Sequence, residues 1–192
     1  MPIKIGVQGG PGSFNDVAVK FYTVTRHILS YEVVYLYTSE AVLAALAGKE
    51  IDYGQFALYN SRGGVVEETM RSMGPHRFQV VDWYSIPVAH HLICRQDVAI
   101  NEIATIMTHP QVLCQCWSTL RVRYPHFHFI QGEGEMIDPA RVASALKNGD
   151  IPPSFATLGC KSIAHVYGLK IIDSDLQDDN SNETTFLLVS GL

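Results

Sequence analysis

Apolar positions recur along this chain in two patterns, one typical of strands and one of helices, and the two patterns alternate from segment to segment. Ile3 to Val7 is a short apolar run typical of a buried strand, whereas Phe14, Val17, Ala18 and Phe21 follow it at helical spacing. A strand, a polar turn and a helix then repeat in this order through the chain. The succession predicts an α/β protein in which helices cover mostly parallel sheets.

The remaining elements follow the same alternation. We predict further strands over residues 31–37, 53–58, 103–107, 126–130, 155–158, 169–172 and 185–189. We predict further helices over residues 40–47 and 66–73, from 110 onward, from 138 to 148 and up to 167. Glycine, proline and small polar residues separate most of these segments, as is usual for connections between elements.

Two long stretches depart from the alternation and suggest how the chain is divided. Phe78 to Cys94 and Asp173 to Phe186 are extended or loop-like, so both are candidates for crossing between two lobes. We expect residues 1–80 with 177–192 to form lobe one and residues 81–176 to form lobe two, with no C-terminal regulatory domain. Such a plan places a ligand cleft between the lobes, beside both crossings.

Composition and charge exclude several classes of protein. Hydrophobic residues make up 47% of the chain, which is too many for a disordered protein, yet no apolar run is long enough to span a membrane. The net charge is −5, which argues against a nucleic-acid partner. The four cysteines lack disulfide or metal spacing, and the first residues predict a strand rather than an export signal. We expect a cytoplasmic protein with neither nucleic acid nor membrane as a partner.

Three predicted turns place small polar residues at helix starts. They end in Ser13, in Thr38 and Ser39, and in Thr108 and His109. Free N–H groups and hydroxyls at a helix start suit a carboxylate or phosphate, although simple capping explains each turn equally well. The eight histidines lack the spacing of a closed metal site, so we expect no metal and no cofactor.

Several short motifs appear in a characteristic order from one end of the chain to the other. They are Gly10-Pro11-Gly12-Ser13-Phe14, Asn60-Ser61, His109-Pro110-Gln111-Val112-Leu113-Cys114-Gln115-Cys116, Tyr167-Gly168-Leu169, Leu176-Gln177-Asp178 and Asn182-Glu183-Thr184-Thr185-Phe186. In sequence, order and spacing they resemble the prephenate dehydratase family. The resemblance covers essentially the whole chain.

This resemblance implies a fold, a reaction and a set of site residues. The fold is two-lobed and similar to type II periplasmic binding proteins. The substrate is prephenate or a similar cyclohexadienyl acid, which loses water and CO₂ to give phenylpyruvate in phenylalanine biosynthesis, and the usual assembly is a homodimer. Thr184 takes the place of the family's catalytic threonine. The residues expected to contact the substrate are Ser13, Thr38, Ser39, Asn60, Ser61, Gln111, Thr185 and Phe186.

The chain departs from the family at three places. Tyr59 replaces a glutamate, Thr185 replaces the arginine of a Thr-Arg-Phe motif, and residues 131–136 replace a Ser-Thr-Ala-like segment. Losing a guanidinium that holds a carboxylate costs about 2–4 kcal/mol of binding. Arg62 offers a replacement charge, although it also suits an exposed loop.

These departures leave two alternatives open. One is a non-aromatising prephenate decarboxylase, and the other is a retired active site that only binds small carboxylic acids. Because neighbouring strand residues point to opposite faces, Thr184 and Thr185 can serve one ligand only if the chain bends at Thr184.

Overall fold

The predicted alternation of strands and helices is present over residues 2–192, which the computed structural model describes. The strands are β1 (Ile3–Val7), β2 (Tyr31–Tyr35), β3 (Tyr53–Asn60), β4 (Gly64–Val65), β5 (Gln79–Pro87), β6 (His91–Cys94), β7 (Thr105–Thr108), β8 (His128–Gln131), β9 (Phe155–Gly159), β10 (Lys170–Asp173) and β11 (Glu183–Ser190). The helices are α1 (Phe14–Thr25), α2 (Ser39–Ala47), α3 (Glu67–Met73), α4 (Pro110–Arg123), α5 (Pro139–Asn148) and α6 (Lys161–Tyr167), with 3₁₀ turns at Ile100–Glu102 and Gly134–Ile137. No helix within residues 2–192 is long and apolar enough to cross a membrane.

The chain forms two compact units. The first contains the N-terminal segment to Gly10, Phe14–Pro87 and Glu183–Leu192, and the second contains Pro11–Ser13 and Val88–Asn182. In the first unit the strand order is β2-β1-β3-β11-β5, with β4 paired to β3. In the second unit the order is β10-β6-β9-β7-β8.

Each unit has its own hydrophobic core. In the first unit, α2 packs through Leu43 and Leu46 on Phe56 and Leu187 of the sheet. A second apolar group surrounds α1 on the other face. In the second unit, the interior of α4 packs against β6, β7 and β9, where side chains such as Leu158 are fully buried. The apolar faces that the sequence pattern predicted therefore point inward.

Both sheets are mixed: in each, four strands run in one direction, which agrees with the expectation of mostly parallel sheets, and one inserted strand runs against its neighbours. In the first unit, α3 joins the parallel strands β3 and β5, and β11 is inserted between them and runs antiparallel to both. In the second unit, α6 joins β9 and β10, and β6 is inserted between them in the same way. Both inserted strands follow connections without a crossover helix, and a parallel neighbour requires such a crossover.

The unit boundaries lie at Pro87/Val88 and Asn182/Glu183, not after residues 80 and 176 as predicted. Residues 81–87 stay in the first unit because β5 continues to pair with β11 up to Pro87. Residues 177–182 stay in the second unit because hydrogen bonds hold them there, as when the Asp178 N–H donates to the Gln115 carbonyl at 2.8 Å. The predicted ligand cleft between lobes stays a prediction.

Candidate functional site

The end of β3 and the start of β11 are joined by the side chain of Asn60. Its Oδ1 accepts hydrogen bonds from the N–H groups of Arg62 at 2.9 Å and Gly63 at 2.7 Å. Its Nδ2 donates to the Glu183 carbonyl at 3.0 Å and to the Thr184 hydroxyl oxygen at 2.9 Å. These bonds use both lone pairs and both N–H groups of the amide. Asn60 is only 1% exposed, so it shapes the site from within.

Ser61 strengthens the same junction. Its N–H donates to the Glu183 carbonyl at 2.8 Å, and its hydroxyl accepts from the Glu183 N–H at 2.9 Å. The predicted residues Asn60, Ser61 and Thr184 therefore lie together, although two of them mainly hold the strands. Thr184 and Ser61 both accept a hydrogen bond through the hydroxyl oxygen, so each keeps its own hydroxyl hydrogen to donate.

Thr185 lies on the opposite face of the sheet from Thr184. The Thr185 hydroxyl is 2.9 Å from the Ser85 hydroxyl on β5. Pairing of β11 with β5 is regular across these positions, and the register shift toward β3 comes after Thr185, where Leu58 is the extra residue. The bend at Thr184 that both threonines would need in order to serve one ligand is absent, so the structure does not bring them to one side.

Phe186 belongs to the core. It is fully buried, stacks on Tyr84 with ring centroids 6.0 Å apart, and clusters with Ala18 and Ile86. The structure therefore does not place Phe186 at a pocket wall, because the side chain has no exposed surface. The alternation along β11 explains the result, since Phe186 shares the α1 side of the sheet with Thr184 but lies deeper.

The predicted anion subsite at the start of α2 is already filled by the protein itself. Thr38 is a simple cap, whose hydroxyl accepts from the Ala41 N–H at 3.1 Å. The Ser39 N–H donates to the Glu68 carboxylate at 2.8 Å, its hydroxyl donates to the same oxygen, and Gln8 donates to the other oxygen. Because Ser39 is fully buried, its donors serve Glu68 and not an external anion.

In the second unit, the other predicted contact residues lie at chain turns. Ser13 is 7% exposed and follows Gly12, whose carbonyl accepts a 2.8 Å hydrogen bond from the Cys160 thiol. Gln111 lies in the first turn of α4, where its N–H donates to Nδ1 of the capping His109 at 3.0 Å. The cap predicted from the Thr108-His109 turn is therefore made by the imidazole.

A buried polar network lies between α4 and residues 176–182 of the second unit, which we call the return segment. Gln115 Oε1 accepts from His90 Nε2 at 2.6 Å and from Asn182 Nδ2 at 2.7 Å. Burial lowers the pKa of His90 to about 4, against a weaker opposing effect of the Gln115 hydrogen bond. At neutral pH this imidazole is uncharged.

The structure also assigns a role to Asp178. Burial raises the pKa of its carboxyl, but hydrogen bonds from the N–H groups of Thr119 and Ser118 outweigh that effect and the net pKa is lowered. The two bonds measure 2.8 and 3.0 Å. Asp178 thus anchors the return segment to α4 as a charged group.

Several of these residues carried little signal in the sequence. Gln115, Asn182 and Asp178 belong to the quoted motifs, but a motif alone does not show which side chains meet. Glu68 and His90 carried no signal, because their partners lie 29 and 25 positions away along the chain. Among residues 2–192, no group of three or more His, Cys, Asp or Glu side chains is arranged to hold a metal ion.

Comparison with known proteins gives the family. The prephenate dehydratase model matches residues 5–191. The chain belongs to the prephenate dehydratase family. The resemblance inferred from the motifs is therefore confirmed over nearly the whole sequence.

Two members of the family show moderate to low sequence identity to this chain. Arogenate dehydratase 3 of Arabidopsis thaliana, a chloroplastic protein, is 27% identical over 191 residues, a match that covers 98% of this chain and 42% of that protein. The prephenate dehydratase of Arthrobacter aurescens, solved in complex with L-Phe, superposes with a TM-score of 0.84 at 21% identity, covering 99% of this chain and 61% of that one. The chain therefore spans less than half the length of that plant relative.

The comparison with solved structures also settles the fold class. A putative methionine-binding lipoprotein of Bacillus subtilis superposes with a TM-score of 0.54 at 12% identity, covering 98% of this chain and 83% of that one. At such identity the likeness concerns the fold alone. The predicted α/β fold similar to type II periplasmic binding proteins is confirmed.

Proposed function

We propose that this chain is a lyase that converts prephenate, or the related amino acid arogenate, to an aromatic product with loss of water and CO₂. Family membership over residues 5–191 supports the reaction class. The observation that carries the proposal is the 2.9 Å hydrogen bond from Asn60 Nδ2 to Thr184 Oγ1. It leaves the proton of a fixed hydroxyl free to act on a substrate.

The chemistry asks little of the protein beyond a well-placed donor. The bond between the ring and its carboxylate breaks, and that electron pair enters the ring as the bond to the leaving hydroxyl breaks. One proton converts the leaving hydroxide to water, so prephenate and a proton yield phenylpyruvate, CO₂ and water. Because aromatisation drives the reaction, stabilising the developing charge on the leaving oxygen is the main task.

In this proposal Thr184 donates its hydroxyl hydrogen to the leaving group. A threonine hydroxyl is too weak an acid to transfer its proton, so it acts as a fixed hydrogen-bond donor to the leaving oxygen and solvent supplies the proton that completes the water molecule. Asn60 keeps the Thr184 oxygen in place, and Asn60 in turn is held by the turn N–H groups of Arg62 and Gly63. Prearranged donors of this kind lower the barrier because they need no reorganisation during the reaction.

Binding of the substrate carboxylates is the weaker part of the site. The Thr185 side chain faces away from Thr184, and the Ser39 donors bind Glu68, so neither holds a substrate carboxylate beside Thr184. We therefore expect weak binding of prephenate, since a missing charged contact of about 2–4 kcal/mol raises the Michaelis constant by a factor of about 30–1,000. This expectation keeps the retired binding module and the decarboxylase as the competing functions.

One assay separates the three functions. Purified protein is incubated separately with prephenate and with arogenate at neutral pH, while absorbance of the diene and the aromatic product are followed together. Phenylpyruvate or phenylalanine formed in step with diene loss supports the dehydratase. Diene loss without an aromatic product supports the decarboxylase. Saturable binding without turnover supports the binding module.

We propose further that the protein acts as a cytoplasmic homodimer, without a nucleic-acid or membrane partner. The net charge of −5 and the absence of disulfides among its four cysteines support this setting. The dimer rests on the family resemblance. Analytical ultracentrifugation, together with microscopy of the tagged protein in its own cells, tests both statements.

A further inference from the structure

Three buried polar side chains in the second unit form what we call the polar latch: His90, Gln115 and Asn182. Their exposed fractions are 1%, 7% and 1%. His90 Nε2 lies 2.6 Å and Asn182 Nδ2 lies 2.7 Å from the same oxygen, Gln115 Oε1. Two donors on one buried amide oxygen are a specific arrangement, since each lone pair of the oxygen accepts one hydrogen.

The arrangement also fixes the tautomer of His90. An amide oxygen carries no hydrogen, so the hydrogen between Gln115 Oε1 and His90 must belong to Nε2. Burial lowers the pKa of His90 to about 4, which keeps the imidazole neutral under physiological conditions. At neutral pH His90 is therefore an uncharged donor to Gln115.

Three further hydrogen bonds hold the backbone of His90 and Asn182. The Leu176 N–H donates to the His90 carbonyl at 2.9 Å, and the Val88 N–H donates to the Asn182 carbonyl at 2.9 Å. Gln177 Oε1 accepts from the His90 N–H at 3.0 Å. The return segment over residues 176–182 is thus held at both of its ends, and Asn182 is its last residue.

We propose that His90 is a positioning residue for the reaction, acting through Gln115 and Asn182 on Thr184. The inference rests on the proposed function, because it assigns Thr184 the reacting hydroxyl. Asn182 precedes Thr184 by two residues, so a change in the position or orientation of Asn182 also displaces the backbone at Thr184. Burying polar side chains is less favourable for stability than apolar packing. In the polar latch, the buried hydrogen bonds fix Asn182 in one position.

If the polar latch acts through the Nε2–H donor of His90, activity depends on how far the side chain at position 90 reaches toward Gln115. The volume and polarity of that side chain alone do not explain such a dependence. In His90→Gln the side-chain amide extends far enough to replace the Nε2–H donor, whereas in His90→Asn the same amide is one methylene shorter. His91 is the matched control, because it is adjacent, 2% exposed, and its Nδ1 has no hydrogen-bond partner among residues 2–192. Any loss caused merely by disturbing β6 would also appear in His91→Asn.

The experiment measures kcat and KM for the wild type and these three variants, well below each variant's melting temperature. We expect His90→Gln to keep kcat within about threefold of the wild type. We expect His90→Asn to lose about tenfold or more in kcat with KM changed less than twofold, since small misplacements of a reacting group are costly. We expect His91→Asn to keep the kcat of the wild type.

Equal losses in His90→Asn and His91→Asn, or no rescue by His90→Gln, overturn the proposal. If His90→Asn does not fold, Gln115→Met supplies the test, because it fills similar space without the accepting oxygen and should lower kcat by a similar factor. An unchanged kcat in folded Gln115→Met also overturns it.

Hydrogen exchange separates failure of this inference from failure of the proposed function. We expect faster amide exchange over residues 176–184 in His90→Asn than in His91→Asn, whether or not the protein turns over prephenate. An inactive wild type with this exchange pattern rejects the proposed function while the polar latch stands. An active wild type without the pattern rejects the latch alone.

Discussion

Asn60 and Thr184 lie opposite each other on neighbouring strands, and the Asn60 amide donates to the Thr184 hydroxyl oxygen at 2.9 Å. The oxygen of the same amide accepts hydrogen bonds from the N–H groups of Arg62 and Gly63 in the turn that follows β3. A change at either end of this chain of hydrogen bonds therefore reaches the hydroxyl. The Asn60-Ser61 motif and the motif that contains Thr184, which are far apart in the sequence, therefore contribute to one site.

Arginine at position 185 should not restore a carboxylate contact beside Thr184. Thr185 faces the other side of the sheet and meets Ser85, so the guanidinium of Thr185→Arg starts on the face away from Thr184. We expect the KM for prephenate to change less than threefold, measured by initial rates. A tenfold or greater fall in KM would mean that β11 bends at Thr184 when ligand is bound.

This example shows what the sequence could and could not predict about the site. The family resemblance assigned Asn60, Ser61 and Thr184 to one site, and the structure places them together where β3 pairs with β11. The face of Thr185 depends on whether β11 is regular, which is decided by its pairing with β5 on a distant part of the chain. Pairing between distant strands leaves no local pattern.

The same physical reason accounts for the errors in the fold. Helix and strand positions follow from local periodicity, so the elements that were predicted agree in their bounds within a few residues, whereas β4, β5 and β6 were not predicted as separate strands. The insertion of β11 between β3 and β5, and of β6 between β9 and β10, is a choice among long-range pairings. The antiparallel pairing of these inserted strands makes both sheets mixed, and the pairing of β5 with β11 keeps residues 81–87 in the first unit.

The Glu68 carboxylate should stabilise the first unit by binding the start of α2. It accepts from the Ser39 N–H and hydroxyl, and a negative charge at a helix N-terminus is favourable. We expect Glu68→Gln to lower the free energy of unfolding by about 1–2 kcal/mol, measured by urea denaturation at neutral pH.

Glu67 provides the matched control for that substitution. It is the preceding residue, and its ion pair with Arg71 is exposed, with side chains 79% and 77% accessible. We expect Glu67→Gln to change the free energy of unfolding by less than about 0.5 kcal/mol. Equal effects of the two substitutions would remove the special role of Glu68.

His90 should make the protein lose stability as the solution becomes moderately acidic. Burial lowers its pKa from 6.5 to about 4 in the folded protein. Between those values the unfolded chain binds a proton that the folded protein does not, so stability is complete above about pH 6.5 and falls as the pH drops toward 4. The loss amounts to about 3 kcal/mol, at about 1.4 kcal/mol for each pH unit.

Urea denaturation at pH 7 and at pH 4 measures this effect, with His90→Gln as the control that cannot take a proton. We expect the wild type to lose about 3 kcal/mol more than His90→Gln over this range. Burial also lowers the pKa of His91, which remains in both proteins and contributes equally to each. Identical losses in the two proteins would show that His90 does not stay neutral in the folded state.

The claim that Thr184 supplies the reacting hydroxyl is tested most directly by comparing Thr184→Ala with Thr184→Ser in the rate of aromatic product formation. We expect Thr184→Ala to lose about 30- to 1,000-fold in kcat, the equivalent of about 2–4 kcal/mol, with little change in stability. We expect Thr184→Ser, which keeps the hydroxyl beside Asn60, to stay within about tenfold of the wild type. Equal rates for the wild type, Thr184→Ala and Thr184→Ser would show that Thr184 does not supply the reacting hydroxyl.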